Sequence, residues 1–284
     1  MSTGAKIMNE FLTRKTWRYI DQSVSGIGRS PLESFAADDT LCHLIGAGLS
    51  PATVRTWVHS ASVVMGIQDH RLPFVQAGMD LLEERGYHPI VRNSGGLAVV
   101  LDEGILNISI VVSEKDGHLD INAGYDMMVE LVKALFPEIT ERIEAYEIVG
   151  SYCPGSYDLS VDGKKFAGIA QRRIRGGIAV QIYLSVEGSG GARAELVRDF
   201  YERSLQQEPT KFDYPNVRPE VMASLSEIIG EPLSVPGVNA RLQQFLYAHS
   251  EEMRMGPFVE DEMEQYTYYL TRVFERNKKL LLES

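Results

Sequence analysis

The sequence predicts an α+β fold, and three observations carry that expectation. Strand-like runs are joined mostly by hairpin signals, helical periodicity falls between only some of them, and the pattern turns helical from Pro219 onward. A doubly wound fold would instead alternate strand and helix throughout.

Taken in order, residues 16–22 alternate aromatic and polar side chains, as an early strand does. Ser30-Pro31-Leu32-Glu33 reads as a helix start, with Ser30 as cap, Pro31 in the first helical position and Glu33 completing a capping box. That helix is expected to run to about Ile45 and to end at Gly46. Residues 53–65, rich in β-branched and aromatic side chains, are expected as one strand. Val75, Met79 and Leu82 share a face of the next helix, with Gly86 as its stop. Residues 88–92 and 97–113 are strand-like on either side of Asn93-Ser94-Gly95-Gly96. Tyr125, Met128, Val129, Val132 and Leu135 mark a third helix before Pro137. Strands return over 148–171 and 178–186, and a helix follows near 192–204. In the last helix Val259, Met263, Tyr266, Leu270 and Val273 form an apolar stripe. Acidic residues lie early in it and basic ones late, as the helix dipole favours. The chain is expected to divide into a main domain, 1–215, and a helical C-terminal extension packed on it, 216–284.

The composition narrows the function. No run of about 18 apolar residues exists, so no membrane-spanning helix is expected. No basic-then-apolar leader is visible, and the chain reads as cytoplasmic. A formal charge of −11 disfavours nucleic-acid binding, which needs a basic face. The two cysteines, Cys42 and Cys153, suit a reducing compartment, and neither has the spacing of a zinc site, so no metal is expected.

The most informative stretch is Gly150-Ser151-Tyr152-Cys153-Pro154-Gly155, followed by Asp158-Leu159 and then by Asp162-Gly163-Lys164-Lys165. Asp162-Gly163 is a type I′ hairpin signal. A two-residue turn there sets Ser160 opposite Lys165, which puts Lys165 and Asp158 on one sheet face. Cys153 lies on the loop just before. A free thiol with a pKa of about 8.5 is little ionised at neutral pH, and an adjacent ammonium lowers that value. Thiolate attack on an acyl carbon gives a thioester, which an amine then opens. On this spacing alone, a packed structural cysteine with a solvated lysine stands ahead of the catalytic pair. Cys42, inside a helix among apolar residues, reads as packing.

The second signal is Arg92-Asn93-Ser94-Gly95-Gly96-Leu97-Ala98-Val99. Its paired glycines let backbone approach a ligand, and small Ala98 leaves room, although an ordinary hairpin loop explains the glycines locally. It is not a Walker loop, because the Gly-Lys-Ser/Thr ending is missing.

Together the two segments resemble the lipoate/octanoate protein ligase and transferase superfamily, related to biotin protein ligases. The family's Arg…Ser-Gly-Gly loop is matched from Arg92 to Val99. Its Asp-Leu…Gly-x-Lys-x-x-Gly-x-Ala-Gln pattern is matched by Asp158, Leu159, Gly163, Lys165, Gly168, Ala170 and Gln171. The resemblance spans about residues 30–205. It implies a biotin/lipoate ligase-type catalytic domain, with mixed and antiparallel sheets flanked by helices, in residues 1–215. It also implies catalysis by Cys153 and Lys165, and substrate binding by Arg92, Ser94, Gly95, Gly96, Ala98, Val99, Asp158, Gly168, Ala170 and Gln171. The chain departs from the ligase pattern at Leu97, where a third glycine is common, and at Leu101-Asp102, where a His-Asp pair is common.

A cysteine in the Gly-Ser-Tyr-Cys-Pro-Gly loop is a feature of cysteine-dependent octanoyltransferases. The resemblance therefore implies octanoyl transfer through a Cys153 thioester. The donor is the lysine of octanoylated glycine-cleavage H protein, and the acceptor is the lipoyl-domain lysine of 2-oxoacid dehydrogenase acyltransferase subunits. Amide enters and amide leaves, so no nucleotide or other cofactor is implied. Transfer from octanoyl-acyl carrier protein to H protein, ATP-dependent lipoate ligation and a non-catalytic acyl-binding module are the competing readings. An apolar eight-carbon chain, once buried, contributes on the order of 5 kcal/mol at about 0.8 kcal/mol per methylene. The basic run Arg172-Arg173-Ile174-Arg175 is as consistent with steering acidic carriers as with a solvated strand end.

Overall fold

The computed structural model describes residues 10–92, 95–117 and 119–282. The first half comprises β1 (Arg14–Gln22), α1 (Pro31–Ala47), β2 (Thr53–Trp57), β3 (Ser62–Met65), α2 (Val75–Glu84), β4 (His88–Val91), β5 (Val99–Leu101), β6 (Ile105–Ser113) and α3 (Ile121–Leu135). It is followed by β7 (Glu144–Ala145), β8 (Leu159–Val161), β9 (Lys164–Ile174), β10 (Gly177–Ser185) and α4 (Gly190–Leu205). The tail holds α5 (Leu225–Ile229), α6 (Val235–Ala248), β11 (Ser250–Met255) and α7 (Glu260–Leu282).

Eight strands form one sheet in the order β11-β1-β2-β6-β10-β9-β8-β7. β1 runs parallel to both of its neighbours, and every other pairing is antiparallel. The central strand β6 is buried along its whole length because both faces are covered. On one face Met127, Met128, Leu131 and Val132 of α3, with Leu242 and Phe245 of α6, pack against Ile108, Ile110, Val180 and Ile182. On the other, Leu41, Cys42 and Ile45 of α1 cover Val111 and Ala179. A second sheet, β4-β3-β5, packs with α2 and α4 through Val63, Met65, Met79, Val197 and Phe200. The α+β class and the ligase-like arrangement of sheets and helices are both present.

Several local expectations shift for physical reasons. Residues 53–65 are two strands in different sheets, because the chain turns between them. The His59 ring, fully buried, bonds through Nδ1 to the Gly26 and Arg29 carbonyls, 3.0 and 3.1 Å away. Gly46 does not stop α1. The helix presses onto the β9–β10 turn there, where a Cβ would sit 2.3 Å from the Arg175 carbonyl oxygen. The stop is Gly48, at φ 78°, whose N–H returns to the Ile45 carbonyl. Ser30 caps the Leu32 N–H as expected, while Glu33 turns instead to Arg29.

The tail is not helical throughout, since β11 extends the main sheet beside β1. Within α7, Val259 lies just before the helix and is exposed, as is Met263, while Tyr269 and Val273 are buried. Two polar residues complete the inward face and hide its period. Glu262 binds Arg18, and Asn277 Oδ1 accepts the Val91 N–H at 2.8 Å.

Candidate active site

The Asp162-Gly163 turn forms as expected, with φ 51° and 75° at its two residues. Val161 pairs with Lys164 and Ser160 with Lys165, so Lys165 points inward. Its ammonium lies 2.9 Å from Asp158 Oδ1, and both side chains are almost wholly buried. Burial pushes the Asp158 carboxyl up from its usual range, and Lys165 together with the Ile148 N–H works in the opposite direction.

The remaining bonds of the ammonium go to the loop before β8. It donates to the Tyr152 and Cys153 carbonyls, each at 2.9 Å, and to Ser151 Oγ at 3.3 Å. None of its hydrogen bonds goes to the Cys153 thiol. Lys165 thus holds the backbone of the cysteine, not its sulfur. That backbone is unusual, because Cys153 sits at φ 44° in the left-handed region, which costs a non-glycine residue about 1–2 kcal/mol. The two carbonyl tethers and Gly150, at φ 89°, keep it there.

The sulfur finds its partners on the other segment. Leu97 N–H donates to Cys153 Sγ at 3.2 Å and Arg92 Nη2 at 3.4 Å. Arg92 Nη2 also donates to the Leu97 carbonyl at 2.5 Å, and its buried Nε has no partner among the described residues. Gly96, at φ 99°, is required here. A Cβ would lie 2.3 Å from Arg92 Nη2 and 3.2 Å from the sulfur.

Cys153 lines a cavity of about 370 Å³ between the two sheets. Its apolar wall comes from Phe35, Trp57, Val64, Val99, Leu101 and Ile182, with the mutually bonded Tyr152 and Tyr183 hydroxyls beside them. Of the residues expected at the site, Arg92, Gly95, Gly96, Val99, Cys153, Asp158, Lys165, Gly168, Ala170 and Gln171 all line this space. Ala98 does not. It is fully buried behind the wall, its N–H directed at the Tyr201 hydroxyl. Ser94 lies outside the described residues. Gln171 is engaged with the Ile121 carbonyl and with Arg173, and Arg172 is paired with buried Asp39. Of the basic run, those two arginines therefore have structural partners.

Apart from Val99, the apolar wall escaped the sequence reading because its only signal was hydrophobicity, which core residues share. Asp102, where ligases commonly have an acidic partner for histidine, here grips Arg193 with both oxygens at 2.6 and 2.7 Å. Among the described residues, no group of three or more His, Cys, Asp or Glu side chains is placed to hold a metal ion. No helix among the described residues is long and apolar enough to cross a membrane.

An α+β domain that encloses an apolar space between two sheets, with a half-buried thiol on its wall, has the lining of a site for an apolar group. Residues 30–246 match the lipoyl protein ligase A/B catalytic domain, and the chain belongs to that family. It is 68% identical to the octanoyl-[GcvH]:protein N-octanoyltransferase of Lysinibacillus sphaericus, across 96% of this chain and 99% of that one. It is 45% identical to the lipoyl-[GcvH]:protein N-lipoyltransferase of Listeria monocytogenes, across 97% and 99%. Among solved structures it shares its fold with a lipoate-protein ligase A bound with ATP, at a TM-score of 0.65 and 19% identity over 91% of this chain and 94% of that one. The bi-partite lipoate protein ligase of Thermoplasma acidophilum is similar at a TM-score of 0.62 and 19% identity, over 91% and 92%.

Proposed function

We propose that this chain is a protein N-octanoyltransferase that takes octanoyl from the lysine of glycine-cleavage H protein and passes it to lipoyl-domain lysines of 2-oxoacid dehydrogenase acyltransferase subunits. The observation that carries the reading is Cys153 Sγ, half-buried on an apolar cavity and met by two donors, Leu97 N–H and Arg92 Nη2. The names of the relatives support the donor. The acceptor and the cytoplasmic setting follow from the family resemblance and from two free thiols.

In the mechanism, the Cys153 thiolate attacks the carbonyl carbon of the octanoyl-lysine amide. The new C–S bond forms and the carbonyl oxygen gains negative charge. Leu97 N–H and Arg92 Nη2 are the donors beside the sulfur, close to the carbonyl oxygen on which that charge develops. Collapse breaks the C–N bond, and the donor lysine leaves as an amine after taking up a proton. The neutral amine of the acceptor lysine then attacks the thioester, its C–N bond forms as the C–S bond breaks, and the amine gives up a proton as the thiolate is released. Lys165 acts through position, holding the loop carbonyls and Asp158.

The reading is tested by mixing octanoylated H protein, apo lipoyl domain and the chain without nucleotide, then weighing every species. The expected result is octanoyl on the lipoyl domain and a hydroxylamine-sensitive adduct on Cys153. Undiminished transfer by Cys153→Ala rejects the thioester route, and a requirement for ATP and magnesium favours ligation. A second acyl group, lipoyl, is favoured by the name of the Listeria relative, and running the same mixture with lipoylated H protein tests it.

A further inference from the structure

Leu97 N–H can serve the sulfur only if the peptide after it is held. That peptide joins Leu97 to Ala98, and both its polar atoms are bound. Its carbonyl accepts from Arg92 Nη2, and its N–H points at Tyr201 Oη, 3.4 Å away. Tyr201, on α4, donates its own proton to Asp69 Oδ1 at 2.8 Å. Asp69 Oδ2 accepts the Gly66 N–H at 2.7 Å. Gly66 in turn touches Gly96 so closely that a Cβ would fall 1.9 Å from its carbonyl oxygen. Asp69 is fully buried and has no ion-pair partner among the described residues. A carboxylate placed so is costly, and it is retained where it does something a cheaper group does not.

We propose that Asp69 and Tyr201 are positioning residues that aim the Leu97 N–H at the Cys153 sulfur by fixing which way the Tyr201 hydroxyl points. With the carboxylate ionised, the hydroxyl proton goes to Asp69 and its lone pair faces the Ala98 N–H. An asparagine or a protonated acid at 69 presents a donor either to Tyr201 or to the Gly66 N–H. In the first case the hydroxyl reverses and sets its proton against the Ala98 N–H. The Leu97–Ala98 peptide then turns, and Leu97, whose own N–H belongs to the peptide before it, is drawn out of line with the sulfur. The inference rests on the Cys153 reading above.

Burial raises Asp69 to about 6, against the Gly66, Tyr201 and Ala98 hydrogen bonds and the nearby Arg92 charge. The other titratable or charged groups around it are Tyr214, whose hydroxyl binds the Gln68 carbonyl, with Arg71 and His70 of its own turn. Tyr201 also feels Cys153. Below that value one of the two acceptor oxygens becomes a donor and the clamp can no longer hold both Tyr201 and Gly66, so the thiol should respond to Asp69 titration.

The experiment measures single-turnover acylation from octanoylated H protein, and separately Cys153 alkylation by iodoacetamide, each from pH 5 to 9. In the unsubstituted chain both rates are expected to carry an inflection near pH 6. Asp69→Asn should remove it and slow acylation between about tenfold and a hundredfold, with KM for the donor unchanged. Tyr201→Phe should slow acylation to a smaller extent. Unsubstituted rates and pH profiles in both variants overturn the inference, and if Asp69→Asn does not fold, an alkylation profile in Tyr201→Phe identical to that of the unsubstituted chain does so. Alkylation needs no acyl donor, so it judges the clamp even where Cys153→Ala shows that transfer bypasses the thiol.

Discussion

Replacing Lys165 with methionine separates its two jobs. Methionine fills much of the same volume but removes the bonds to Asp158, Ser151 and the Tyr152 and Cys153 carbonyls. A buried carboxylate left without its cation costs about 3–5 kcal/mol, a large part of a domain's total stability. Asp158 retains the Ile148 N–H and Ser151 Oγ at 3.3 and 3.4 Å, which favours the lower end. Its carboxyl, already pushed up by burial, rises further once the ammonium is gone. A raised folded-state value means that stability is present at low pH and lost as pH rises. The deficit of Lys165→Met should therefore be larger at pH 8 than at pH 5. Lys165→Met/Asp158→Asn leaves no uncompensated charge and should recover most of the deficit. Acylation should stay low in both variants, because the Cys153 carbonyl has lost its tether. Urea unfolding at the two pH values, with intact-mass measurement of the acyl-enzyme, reads both effects. Equal unfolding midpoints for the single and double variants would refute the ion-pair argument, and restored acylation in the double variant would refute the tether.

Gly96→Ala should slow acyl-enzyme formation by about a hundredfold, because its methyl group displaces the Arg92 and Leu97 donors. The backbone cost at φ 99° is only about 1–2 kcal/mol, so the thermal midpoint should fall by a few degrees. Val99→Phe narrows the cavity. If it excludes two methylenes, octanoyl loses about 1.6 kcal/mol, slightly over tenfold, against hexanoyl in a competition between the two donors. His59, buried, is lowered to about 4 from 6.5, so it is neutral in the fold. Its contribution is fully present above about pH 6.5 and is lost as pH falls toward 4, by about 3 kcal/mol. His59→Gln should flatten the decline in urea midpoint across that window, and an unchanged slope would exclude the histidine as its source.

What could be read in the sequence was what neighbouring residues decide together. The Asp162-Gly163 turn fixes its own geometry, and the alternation of a strand then carries Lys165 to the face of Asp158 without outside help. The donors to the sulfur were illegible for the opposite reason. Arg92 and Leu97 lie some sixty residues before Cys153, and only the docking of the small sheet brings them to it. The same holds for Asp69 and Tyr201, which belong to no local motif. Ala98 shows the limit of reasoning from size, since a small residue that leaves room for a ligand on paper is packed behind the cavity wall. The α7 stripe was misplaced because Glu262 and Asn277 are buried by particular partners, Arg18 and the Val91 N–H, which no hydrophobic period reveals.

The Asn277 contact ties the setting of Arg92 to the last helix. Val91 immediately precedes Arg92, and its N–H is satisfied by a side chain near the end of the last helix. During synthesis, Cys153, Lys165 and the β9 hairpin emerge from the ribosome long before residue 277. The strand that brings Arg92 to the sulfur has its final anchor only afterwards. A nascent chain therefore carries Cys153 through the later part of its synthesis before the strand ahead of Arg92 is anchored.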